Sequence, residues 1–301
     1  MNAALLLAAA LCIAQAPAAP ATPPAGEAAD VIEGFRQGVA AYDIRLDGKN
    51  APRLAMLEKP LLHWSNPART SEDGAVFLWL QEGRPQAIGS VFTYKLQQVR
   101  TKHEFQSLAT VPLTARFAGQ IAWRSPEAGV TFRPVPVTFV PAGSARLRTI
   151  QLKNMARDFS ASLHGEKETN ELRLLAQPLY RYEETKPPRG NIVQRATDAA
   201  ARTVTGDDGG RVSETLLDGA IFSFALGTDP EALLLLEARP AEGIPGGWQW
   251  EYAFARFHYD GIIARRAGQE VWRAERDPTQ MSTRRGDPAS RDKTYVTFHV
   301  D

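Results

Sequence analysis

The sequence predicts an α+β, strand-rich protein of two tandem homologous units, each one helix followed by an antiparallel β-meander. Two observations carry this expectation: a set of short words that recurs in the same order with growing spacing, and a switch within each copy from helical to alternating apolar period. The clearest word is "ARFAGQIAWR", Ala115 to Arg124, which returns as "ARRAGQEVWR", Ala264 to Arg273, identical at seven of ten positions. "EKPLLHW" ending at Trp64 returns as "AQPLYRY" ending at Tyr182, 118 residues on. "DGAVFLW" from Asp73 returns as "DGAIFSF" from Asp218, 145 on, and "VTF" at Val130 returns at Val296, 166 on.

In chain order, the apolar run Ala3 to Ala14 is too short to span a bilayer and is followed by small residues, so residues 1–18 are expected to be a signal peptide and 19–26 an Ala/Pro linker. Cys12, the single cysteine, lies within that segment after Leu11 rather than a small residue, which argues against a lipid anchor. A processed chain then has no disulfide, thiol nucleophile or thiolate metal site.

The first unit is placed at 27–136 and the second at 144–301, joined by a linker at 137–143. A helix opens each: Glu27 to Leu46 with Val31, Ile32, Phe35, Val39 and Tyr42 at helical spacing, and Ala145 to Leu163 with Leu147, Ile150, Leu152, Met155 and Phe159. Each is expected to end at a glycine, Gly48 or Gly165. Roughly five to seven strands should follow. "DGAVFLWLQEGRPQAIGSVFTY" and "DGAIFSFALGTDPEALLLLEAR" read as hairpins with multi-residue turns, Asp73-Gly74 and Asp218-Gly219 as strand-entry turns, and Ala118-Gly119 and Ala267-Gly268 as tight turns. "WQWEYAF" alternates strictly, so Trp248, Trp250, Tyr252 and Phe254 should face a core. The growing offsets locate two insertions in the second copy, near 183–212 and 276–293. Both are rich in Gly, Pro, Asp and Arg and are expected to be solvated surface loops.

Chemistry is sparsely encoded. No two of the five histidines have helical zinc spacing, no Gly-x-Ser-x-Gly elbow occurs, and "GDDGG" at Gly206 lacks the features of a phosphate cradle, so no metal site and no cofactor are expected. Neither Asp-Gly word has the Asp-Thr/Ser-Gly triplet of aspartic proteases. The local candidate for catalysis is "KHEFQSL", which sets Lys102, His103 and Glu104 side by side; the second copy has Tyr252 and Ala253 in place of His103 and Glu104. On a regular strand, however, adjacent side chains point to opposite faces, so His103 and Glu104 act together only if a bulge intervenes. No binding residue can be singled out.

The words "HEFQSLA", "ELRLLAQPLYRYE" and "LDGAIFSFALGTDPEALLLLEAR", in that order, resemble a family of uncharacterised exported proteins of planctomycete-type bacteria. The resemblance spans most of the processed chain and implies bacterial, exported origin. It implies no activity and no functional residue.

The composition is that of a folded globular chain, and a net charge of +1 gives no overall drive toward nucleic acid or anionic membrane. No apolar segment outside the leader is long enough for a membrane helix. The expectation is therefore an exported, periplasmic or extracellular, non-catalytic binding or scaffold module for an unknown small ligand or protein. The alternatives are a hydrolase using His103 and Glu104, and a lipid or lipoprotein carrier with a curved apolar sheet. The duplicated units should form either two facing sheets with a groove or two lobes on a short linker.

Overall fold

The structure is a computed structural model and describes residues 25–48, 50–66, 71–95, 97–183 and 216–300. The expected signal peptide, residues 19–24 of the linker and the first insertion from 184 onward lie outside the described residues.

The N-terminal half runs α1 (Ala25–Ala40), β1 (Tyr42–Leu46), β2 (Ala55–Met56), β3 (Leu62–Asn66), β4 (Ser71–Gln81), β5 (Arg84–Lys95), β6 (Val99–Ser107), β7 (Leu113–Phe117), β8 (Gln120–Ser125) and β9 (Arg133–Pro134). The C-terminal half runs α2 (Ala145–Arg157), β10 (Phe159–His164), β11 (Thr169–Leu174), β12 (Tyr180–Glu183), β13 (Asp218–Leu226), β14 (Asp229–Pro240), β15 (Trp248–Arg256), β16 (Gly261–Arg266), β17 (Gln269–Ala274) and, after a single 3-10 turn at Pro278–Gln280, β18 (Tyr295–His299). The fold is α+β and strand-rich, and every ladder between the described strands is antiparallel.

Both helices stop earlier than their apolar spacing suggests. Tyr42 to Leu46 and Phe159 to His164 are strands, because Tyr42 and Ile44, like Phe159, Ala161 and Leu163, bury alternate side chains while their backbones pair with β7 and with β11 and β16. The spacing of Phe35, Val39 and Tyr42 fits either period. Sheet pairing available only in three dimensions decides between them. Gly48 and Gly165 therefore follow strands. On α2 the buried face is Arg148, Leu152, Met155 and Ala156, whereas Leu147 and Ile150, expected in the core, are exposed.

The meander is confined to consecutive hairpins in each half, β3 to β6 and β12 to β15. β1 instead pairs with β7, and β7 with β8, forming a separate three-stranded sheet; β10, β16 and β17 pair in the same order. The recurring words adopt recurring local structures. Ala118-Gly119 and Ala267-Gly268 have φ of 48° and 80°, and 47° and 80°, the positive pair that a two-residue type I′ turn requires. A bulge lies between Trp79 and Leu80 before one hairpin turn, and between Phe224 and Ala225 before its counterpart. Those turns are two residues long, Glu82-Gly83 and Gly227-Thr228, tighter than expected, because the bulge absorbs the extra residue.

The Asp-Gly words are not strand-entry turns. Gly74 and Gly219 lie within β4 and β13, under the rings of Trp64 and Tyr182 on the neighbouring strands. A Cβ on Gly74 would stand 2.3 Å from Trp64, and one on Gly219 2.4 Å from Tyr182. Glycine is needed for close approach of an aromatic ring.

The two large sheets lie face to face. Val76, Leu78, Leu80 and Ile88 from one and Ile221, Leu233, Leu235, Ala253 and Ala255 from the other form a single buried layer. The alternate residues of the same strands face outward into separate cores. One, under α1 and the three-stranded sheet, contains Phe77, Trp79, Phe105 and Trp123; the other, under α2 and β10, β16 and β17, contains Phe222, Leu234, Trp250 and Phe254. Trp248, Trp250, Tyr252 and Phe254 thus do face a core.

Each half also gives its last strand to the other. β9 pairs with β15, while β18 pairs with β6 along five residue pairs, and Val296 and Phe298 join the N-terminal core as Val135 joins the C-terminal one. Two lobes on a short linker are excluded by this exchange and by the shared middle layer. The second insertion is not a solvated loop either. Arg285 stacks 3.7 Å from the Phe117 ring centroid, the Arg124 N–H donates to the Arg291 carbonyl, and the buried Gln280 side chain accepts from the Thr297 N–H and donates to the Ser290 carbonyl.

Two substitutions test these local arguments. Gly219→Ala forces a methyl into the Tyr182 ring and is expected to lower stability by about 1–3 kcal/mol in urea unfolding. Ala267→Asn places a residue that tolerates positive φ in the type I′ turn and is expected to raise the unfolding midpoint, whereas Ala267→Val should lower it.

Candidate functional site

His103 and Glu104 sit in the middle of β6, flanked by β5 and β18. His103 registers with Val91 and Phe298, and Glu104 with Ser90 and Thr297, without a bulge in either ladder. The alternation of the strand is therefore intact, and the two side chains leave on opposite faces.

His103 enters the N-terminal core. Its Nδ1 lies 2.9 Å from the Tyr42 hydroxyl, and the rings of Tyr42, Phe298 and Phe105 surround it at 5.7, 6.2 and 6.3 Å. Burial raises the Tyr42 phenol well above its ordinary range, so it keeps its proton and shares a hydrogen bond with Nδ1, while Nε2 lies under Gly38 of α1. Burial, with the Arg285 guanidinium nearby, lowers the His103 pKa to about 3. The imidazole is a neutral core group.

Glu104 enters the layer between the sheets, 6 % exposed. Tyr295, from the exchanged strand, donates its hydroxyl to the carboxyl, and the guanidinium of Arg256 lies 5.1 Å from the Tyr295 ring centroid. Desolvation raises the Glu104 pKa to about 8 against the smaller opposing pull of the Tyr295 hydrogen bond. Desolvation likewise lowers Lys102 and Arg256. The Lys102 ammonium donates to the Met281 carbonyl at 2.8 Å, between the rings of Tyr94 and Tyr259. Ser90 Oγ, Gln106 Oε1 and Thr297 Oγ1, buried on the same face, have no hydrogen-bond partner among the described residues. A protonated Glu104 carries a proton to donate, which suits a face lined with hydroxyl groups.

A second polar group closes the layer elsewhere. Buried Glu237 accepts from Tyr182 Oη at 2.8 Å, Arg84 Nη2 at 3.0 Å and Arg239 Nη1 at 3.1 Å, and both guanidiniums lie over Phe132. Asp218, fully buried, accepts from Arg148 Nε of α2 at 2.6 Å and from Arg181 Nη2 at 2.8 Å. The Arg148–Asp218 pair ties α2 to β13 beside its buried Leu152, Met155 and Ala156.

Each of the other four histidines has a polar neighbour: His63 pairs with Asp73 at 3.1 Å, His164 with Ser162 at 2.9 Å, His258 with the Asp260 N–H at 3.0 Å and His299 with the Tyr94 hydroxyl at 3.4 Å. No group of three or more His, Cys, Asp or Glu residues among those described is arranged to hold a metal ion. Among the described residues, no helix is long and apolar enough to cross a membrane. Sequence reasoning reached Lys102, His103 and Glu104 but missed Tyr295 and Arg256, which lie 191 and 152 residues beyond Glu104 and carry no local motif.

Compared with known proteins, the chain matches no family model, no curated protein and no solved structure.

The pKa of Glu104 has a testable consequence. The folded value, about 8, lies above the unfolded value, so between roughly pH 4.5 and pH 8 the folded state binds the extra proton and stability falls as pH rises. His103 acts on the acid side, where the unfolded state takes up a proton below about pH 6.5 that the fold refuses until about pH 3, so stability falls as pH falls. From pH 5 to about 6.5 the two slopes oppose each other; from about pH 6.5 to pH 8 urea midpoints are expected to decline in the wild type and to flatten in Glu104→Gln. An unchanged slope in that variant would assign the decline to another group.

Proposed function

We propose that the protein is an exported, periplasmic or extracellular, non-catalytic binding or scaffold module. The observation that supports this most directly is the separation of His103 from Glu104. One is locked neutral in an aromatic core, the other is held by Tyr295 between the sheets, and no shared face lets them act on one substrate. A hydrolase reading therefore lacks its acid–base pair. A carrier reading needs an open apolar concavity, whereas leucine, isoleucine, valine and alanine side chains fill the layer between the sheets. The apolar N-terminal segment and the resemblance to exported planctomycete-type proteins support export.

The same reading takes the two halves as homologous units that exchange their last strands. The order of the repeated words, the equal turn geometry and the paired bulges support it. Exchange makes the assembly a rigid platform, since separating the halves requires peeling β18 from β6 and exposing the middle layer.

The test has two readouts. Native mass spectrometry of the protein purified from its producing cells is expected to show a bound partner that denaturation releases and that His103→Gln and Glu104→Gln both retain. A panel of ester, amide and glycoside substrates is expected to show no turnover. Hydrolysis abolished by either substitution, in a protein that still folds, would overturn the non-catalytic reading.

A further inference from the structure

Apolar side chains exposed singly are ordinary, but here four of them gather on twelve residues. Phe139, Val140, Leu147 and Ile150 are 42 %, 41 %, 53 % and 49 % exposed. The backbone that carries the first two is clamped to the helix that carries the others. Gln151 Nε2 donates to the Val140 carbonyl and its Oε1 accepts from the Ala142 N–H, both at 2.9 Å, while Arg148 Nη1 donates to the carbonyls of Ala142 and Gly143. Arg148 is in turn held by Asp218. The apolar side chains are thus presented from a backbone that the core keeps in place.

The charged side chains within the helix have one sign, and the Asp158 that caps its end is paired with Arg266. From Ala145 to Arg157 the helix contains no acid. The charge of Arg148 is matched internally by Asp218, which leaves Arg146 and Arg157 exposed and Lys153 half-buried. Arg146, Ile150, Lys153 and Arg157 follow one another at spacings of four, three and four, so they share a stripe of the helix, with Leu147 beside it. α1 carries no such face; Asp30 and Glu33 accompany its Arg36. The near-zero net charge of the whole chain conceals this local field.

We propose that the outer face of α2, with Phe139 and Val140, docks on an anionic lipid surface. A helix lying in a bilayer interface inserts its aliphatic side chains a few ångströms and keeps basic groups at the phosphates. Leu147 and Ile150 supply the first, and Arg146, Lys153 and Arg157 the second, with stems long enough to let the charged ends reach the headgroups. The absence of acids on the helix is what selects a negatively charged surface. This surface is distinct from the buried candidate residues, so it goes beyond the binding-module reading and does not depend on it.

The experiment is co-sedimentation of the whole protein with vesicles of phosphatidylcholine alone or mixed with phosphatidylglycerol. Three proteins are compared: wild type, Leu147→Gln/Ile150→Gln, and Arg146→Glu/Lys153→Glu. All three carry the same N-terminal segment, so differences between them read α2 alone. The expected result is binding to phosphatidylglycerol vesicles that weakens at high salt and drops at least tenfold in both variants, with thermal midpoints unchanged because the altered side chains are on the outer surface of α2. Equal binding by wild type and variants, or no binding of wild type to phosphatidylglycerol vesicles, would overturn the proposal. So would a concentration-dependent dimer that Leu147→Gln/Ile150→Gln dissolves, which would assign the face to a second copy.

Discussion

A sheet that is apolar on both faces must be covered on both, and the rest of the architecture follows from that constraint. β4, β13 and β14 are buried along nearly their whole length, Val76 to Leu80 and Ala232 to Leu236 without interruption. Their even-numbered and odd-numbered side chains need separate partners. Placing the sheets face to face covers one set, and a helix with three short strands over each outer face covers the other. At about 25 cal/mol per Å² of apolar surface removed from water, the middle layer resists separation more strongly than any single ion pair could.

Polar groups in such a molecule have few places to go. Those caught between the sheets are clustered at Glu104 with Tyr295 and Arg256, and at Glu237 with Arg84 and Arg239. In the second cluster the acid has three donors, whereas in the first desolvation favours the neutral carboxyl. The two solve the same problem, burial of a carboxyl, by pairing it or by protonating it. The exchanged strand β18 takes part in the first solution, because it brings both Tyr295 and Thr297 to Glu104.

Strand exchange also explains why His103 and Glu104 are a poor catalytic pair and a good structural one. β6 would be an edge strand without β18, and an exposed edge is a site of unwanted pairing. With β18 added, His103 meets Phe298 and Glu104 meets Thr297, and both faces of the former edge are sealed. The segment 276–293, which reads in sequence as a solvated loop, is the connection that makes this reach across the molecule possible, packing Arg285 on Phe117 and threading Arg291 past β8 on the way.

The sequence by itself determined the features that depend on near neighbours in the chain. The α+β class, the core-facing alternation of Trp248, Trp250, Tyr252 and Phe254, the Ala-Gly turns, and the opposed directions of His103 and Glu104 all follow from local period and backbone preference. Where two periods fitted the same residues, as at Tyr42 to Leu46, the pairing of β1 with β7 chose the strand. Only the tertiary structure set Gly74 under Trp64, brought Tyr295 to Glu104 across 191 residues, and left Leu147 and Ile150 outside while Arg148 went in. The physical reason is that each outcome depends on what lies opposite a side chain in space. A buried acid such as Asp218 can draw an arginine inward and turn two aliphatic residues outward, and nothing in the helix that carries them encodes that acid.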